Sequence, residues 1–120
     1  MLTIRQEQVE AFRQKALQNF EGRMIEHIAK FFPKQFAEIG EPRMRETIQY
    51  GVKRAESYGI VAERDACKYI DLMVVFGRDF DRDPALPWVR DVLHDPGAES
   101  PSQRTEWLFK VAMENSPNRP

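Results

Sequence analysis

Apolar positions along the chain recur at steps of three and four residues, the period of an α-helix with one buried side. The longest stripe reads Val9, Phe12, Ala16, Phe20, Met24, Ile28 and Phe31, widened by Leu17, Ile25 and Phe32. It predicts a first helix of about 28 residues, about 40 Å long at 1.5 Å per residue. Thr3 and Gln6 stand at capping-box spacing before it. Pro33 lacks a backbone donor and should end or kink it. A short turn of helix through Phe36 and Ile39 follows, closed by Gly40.

Pro42 suits the opening of a second long helix, whose inward positions are Met44, Ile48, Val52 and Ala55 and which Tyr58 and Gly59 should close. A third helix is predicted over 62–76, with Ala66, Ile70, Met73 and Val74 inward and Gly77 at its end. The run 72–76 is apolar enough for a strand. Helix is the better reading, because the helical period starts well upstream and no second strand is available for pairing. Aspartates and prolines make 78–87 a loop. Trp88, Val92 and Leu93 then mark a short helix, stopped by Asp95, Pro96 and Gly97. Ser100 and Gln103, with Pro101 between them, open a last helix carrying Trp107, Leu108 and Val111. The expected fold is all-α: a compact bundle of five to six helices with a long N-terminal helix, one domain over 1–115 and a frayed tail over 116–120.

Charge narrows the function classes. Lys and Arg total 18 against 19 Asp and Glu in 120 residues. Residues 1–60 hold ten basic and eight acidic groups, and 61–120 hold eight and eleven, so neither half offers the basic excess that displaces phosphate counterions. No nucleic-acid partner is expected. The longest apolar run, 72–76, is far short of the roughly 20 residues that span a bilayer, and the N-terminus turns polar and acidic at once, unlike a signal peptide. With a single cysteine, Cys67, no intrachain disulfide can form. These features point to the cytoplasm and away from a membrane.

Catalytic and metal chemistry find little support. Asp79, Asp81 and Asp83 alternate like the first half of a calcium loop, but Pro84 stands where that loop needs glycine and Arg90 where it needs a bidentate glutamate. Capping of the Trp88 helix or pairing with nearby arginines is the better account of them. His27 and His94 have no second ligand at zinc-like spacing, and solvent exposure is expected for His27. Cys67 lies beside positions that face inward and reads as a packed thiol. Glu63 and Asp65 suit the positive end of a helix dipole. No glycine-rich phosphate loop occurs. No cofactor, metal or catalytic residue is expected.

The first helix carries more apolar surface than so short a bundle can readily cover, which makes part of it a candidate docking face, the alternative being that the other helices simply wrap it. The candidate partner-binding residues are Phe12 and Phe20 there, and Asp79, Phe80, Asp81 and Trp88 around the loop. A homo-oligomer through the same face is compatible with this pattern.

A wider resemblance can be stated on particular residues. Glu56-Ser57-Tyr58-Gly59-Ile60, Glu63-Arg64-Asp65, Tyr69-Ile70-Asp71-Leu72-Met73, Phe76-Gly77-Arg78-Asp79-Phe80-Asp81, Asp83-Pro84 and Pro87-Trp88 resemble a family of small bacterial proteins. Leu2-Thr3-Ile4-Arg5-Gln6-Glu7 resembles their N-termini. That family is associated with type VI secretion effector clusters, beside adaptor chaperones that load toxic effectors. The resemblance implies a non-catalytic co-chaperone whose protein partner is an effector or its adaptor. An immunity protein that neutralises a toxin is the alternative, ahead of a small enzyme or a DNA-binding regulator.

Overall fold

A computed structural model of the chain describes residues 6–115. Among them are six α-helices and a 3₁₀ turn, with no strand: α1 Gln6–Phe31, α2 Pro33–Ile39, α3 Glu41–Ser57, α4 Glu63–Phe76, the turn Phe80–Arg82, α5 Pro87–Leu93 and α6 Pro101–Glu114. The all-α expectation holds, and the segment 72–76 is the end of α4. No helix of the described residues is long and apolar enough to cross a membrane. Where the sequence suggests one domain, the chain divides into two compact units, Met1–Arg45 and Glu46–Pro120. Thr3 and the tail 116–120 lie outside the described residues.

In the first unit, α1 ends at the predicted proline. Phe32 takes a non-helical conformation before Pro33 starts α2. Gly40, at φ 84°, closes α2 with its N–H on the Phe36 carbonyl. The second half of α1 buries Phe20, Met24, Ile25 and Ile28. Glu21 receives Arg45 from the first turns of α3 at 3.0 Å.

In the second unit, α4 is the most buried helix, with Asp65, Ala66, Tyr69, Ile70, Leu72, Met73 and Val74 all inside. Its N-terminal end meets that of α6, where the Ser102 hydroxyl donates to the buried carboxylate of Asp65. Ser100 caps α6, its Oγ accepting from the Gln103 N–H at 3.1 Å. The Gln103 side chain reaches one residue further back than a capping box requires, to the N–H of Glu99. Arg104 bonds the Val92 and Leu93 carbonyls, satisfying the end of α5. Gly51 lets α3 and α4 approach closely: a Cβ there would lie 2.7 Å from both Ile70 Cγ1 and Met73 Sδ. Two residues beyond the end of α3, Gly59 takes a positive φ of 79° and turns the chain so that the Ile60 N–H bonds the Ala55 carbonyl.

Candidate functional site

Two features could act on another molecule: the first half of α1, and the polar cluster that joins α3 to the 3₁₀ turn. They belong to different units and are described separately.

Glutamine, glutamate, alanine, arginine, lysine and leucine dominate residues 6–19, and all are strong helix formers. Local preference therefore accounts for a helix here without tertiary cover. Every residue of this stretch is exposed. Phe12 is 79% exposed, with Val9 and Leu17 also bare. Cover begins at Phe20, which is only 7% exposed. The long stripe thus has two fates: its first three members face solvent, and Phe20, Met24 and Ile28 form interior. Phe31 is exposed again, with the His27 ring tilted against it at 4.9 Å. Half-buried between Phe31 and Phe32, His27 is not the exposed group expected of it.

The polar cluster is built on α3. Tyr50 and Arg54 stand four residues apart and so share one side of that helix, and Tyr58 follows at the same spacing in the turn just beyond its end. Asp81 is buried, and its Oδ2 accepts from Arg54 Nε at 3.1 Å, from Arg54 Nη2, and from the Tyr58 hydroxyl at 2.7 Å. Its Oδ1 and the buried hydroxyl of Tyr69 have no hydrogen-bond partner. Phe80 is buried beside Tyr69, ring centres 5.1 Å apart. At the surface, Asp79 accepts from the Tyr50 hydroxyl and from Arg82, while Arg78 lies over the Tyr50 ring at 4.1 Å.

Electrostatics follow from these contacts. The bond to Tyr50, and then Arg82, holds the Asp79 carboxyl below its ordinary range, and the same bond raises the Tyr50 hydroxyl. Burial first, then Asp81, raises both Tyr58 and Tyr69. Burial and Asp71 push the Cys67 thiol up to about 11, keeping it protonated at neutral pH.

The predicted docking residues therefore separate. Phe12 is bare, as a docking residue requires. Phe20, Phe80 and Asp81 are interior, so the expectation that they meet a partner is corrected: the two rings fill core, and Asp81 is committed to Arg54 and Tyr58. Asp79 is exposed but engaged. Trp88 is half-buried, its ring edge-on to Phe76 at 5.5 Å. Of the aspartate alternation, Asp79 pairs with the nearby Arg82 as expected, whereas Asp81 pairs with the distant Arg54. Asp83 accepts instead from the Ala85 N–H in a local turn, and Leu86, with no side-chain cap bond, precedes α5. Sequence reasoning missed Tyr50, Arg54, Tyr58 and Tyr69. The four-residue spacing of the first three was the available signal.

No protein family, curated protein or solved structure matches this chain.

Proposed function

We propose that the protein is a non-catalytic binding factor that docks on another protein through residues 6–19 of α1. The observation that supports this reading is the bare half-helix with Phe12 at its centre. Large apolar side chains grouped on one face of an amphipathic helix are a recurrent means of engaging a protein groove. The family resemblance suggests the partner: a type VI secretion effector or the adaptor chaperone that loads it, with this chain as co-chaperone. The runner-up is an immunity protein. A co-chaperone binds its toxin and leaves the toxin's activity intact, whereas an immunity protein abolishes it.

The test compares Phe12→Ser with Phe20→Ser. Tagged wild type and both variants are captured from the native cell, the companions identified, and each variant's stability measured. Phe12→Ser should lose the companion and keep its melting temperature. Phe20→Ser should lose about 3–5 kcal/mol of stability, as truncated core phenylalanines do. Undiminished capture by Phe12→Ser would place the docking surface elsewhere.

A further inference from the structure

Resting on the reading of residues 6–19 as a docking segment, we infer the chemistry of what it docks on: a protein groove with an apolar floor and acidic rims.

The segment carries four charges, Glu7, Glu10, Arg13 and Lys15, which cancel in sum but not in space. Val9, Phe12 and Ala16 stand at the spacing of helix-in-groove anchors and form one narrow apolar seam. At about 100° per residue, Arg13 falls about 70° to one side of the seam's centre and Lys15 about 90° to the other. Glu10 lies about 125° away and Glu7 about 175°, on the back of the helix. Within residues 6–19 the seam is thus bordered by a cation on each flank and by no acid. Arg13 and Lys15 are exposed, and neither is paired with an acid among the described residues.

Each part of this face has a counterpart in such a groove. Phe12, at 79% exposure, has the most to gain from an apolar floor. The long stems of Arg13 and Lys15 can lie along the edges of the contact and deliver their charges to its rim. Carboxylates on the partner meet a cation at both edges, whereas a basic rim is repelled at both. The two glutamates face away and oppose neither.

An anionic bilayer is the other surface that basic amphipathic helices take. The seam is too narrow for it, because a helix lying in that interface buries a broad apolar face. Leu17, the one further large apolar side chain of the segment, sits about 105° from the seam's centre, toward Glu10. Two cations are also too few to hold the helix there by charge alone.

Site-specific photocrosslinking tests this. Benzoylphenylalanine replaces Phe12 in the full chain, the native cell is irradiated, and the attached molecule is identified by mass spectrometry. The same replacement is made alongside Arg13→Glu/Lys15→Glu, Arg13→Lys/Lys15→Arg and Glu7→Gln/Glu10→Gln. All these positions are exposed, so the helical spectrum should not change. The attached segment should belong to a protein and sit among more Asp and Glu than Lys and Arg on its surface. Charge reversal at Arg13 and Lys15 should lower the yield by about tenfold, while the two other pairs of substitutions leave it within about twofold. A neutral or basic attachment site overturns the inference. So does attachment to a second copy of this chain, or a yield indifferent to Arg13→Glu/Lys15→Glu or cut equally by Glu7→Gln/Glu10→Gln. In each of these cases a protein is still attached at position 12, and the docking reading stands. Attachment to lipid, or binding to vesicles of phosphatidylglycerol and phosphatidylcholine that the charge reversal abolishes, assigns the face to a bilayer and overturns the acidic groove. Attachment to nothing defeats the docking reading itself, and the groove with it.

Discussion

A carboxylate withdrawn from water needs partners for both of its oxygens, and Asp81 has them for only one. Three donors converge on Oδ2, while Oδ1 and the Tyr69 hydroxyl remain buried and unpaired. The two tyrosines of this cluster should therefore respond differently to loss of the hydroxyl. Tyr58→Phe removes a bond to a charged acceptor and should cost about 1.5 kcal/mol, the lower end for such bonds because the group is only part-buried. Tyr69→Phe removes a buried hydroxyl without a hydrogen-bond partner, and should be neutral or stabilising. Denaturant unfolding of the two variants checks this; equal losses would mean that the Tyr69 hydroxyl is bonded to Asp81 after all. Little of the cluster was legible beforehand. The alternation of Asp79, Asp81 and Asp83 announced carboxylates in search of cations. The cation chosen by Asp81 lies 27 residues earlier in the chain, and no local pattern specifies a contact of that separation.

Helix boundaries, by contrast, are set by the residues that stand at them, and these were readable. Pro33 cannot supply the N–H that would continue α1. Gly40, Gly59 and Gly77 adopt positive φ just beyond the ends of α2, α3 and α4. Ser100 and Pro101 start α6. What the sequence could not separate were glycines inside helices, since Gly22 and Gly51 both look like defects in a helical period. Their surroundings differ. A Cβ at Gly22 meets nothing within 4 Å, whereas at Gly51 it collides with Ile70 and Met73. Gly22→Ala should then stabilise the protein by about 0.5–1 kcal/mol through helix propensity alone. Gly51→Ala gains the same preference but must displace two packed side chains, and overpacking of this kind costs about 1–3 kcal/mol, so a net loss is expected. Melting temperatures should move in opposite directions. A rise for both would show that α4 yields easily to α3.

At the scale of the whole chain, periodicity predicts where an apolar stripe runs but not how much of it finds cover. The stripe of α1 keeps its period through Val9, Phe12 and Ala16, yet interior begins only at Phe20. Burial depends on what other segments reach, which a single sequence does not state. Tyrosine placement gives the last prediction, because it links the interior to solution pH. The chain has three tyrosines, Tyr50, Tyr58 and Tyr69, all in the unit Glu46–Pro120, and the hydroxyl of each is raised above its ordinary value. A group whose folded pKa exceeds its unfolded pKa contributes stability that is fully present below the unfolded value, about 10 for tyrosine, and lost as pH climbs toward the folded value. Above about pH 10 the unfolded chain gives up its phenolic protons while the folded chain retains them, so unfolding gains ground. For fully buried Tyr69 the slope approaches about 1.4 kcal/mol per pH unit, with less from the part-exposed Tyr58 and least from Tyr50, whose charge would be well screened. Unfolding free energy measured from neutral to strongly alkaline pH should be level up to about pH 9.5 and then fall, together with the appearance of tyrosinate absorbance. Tyr69→Phe should flatten most of that fall. Stability that stays level through the tyrosine range, or a decline that survives Tyr69→Phe unchanged, would mean that ionisation of Tyr69 is not what opposes the fold at high pH.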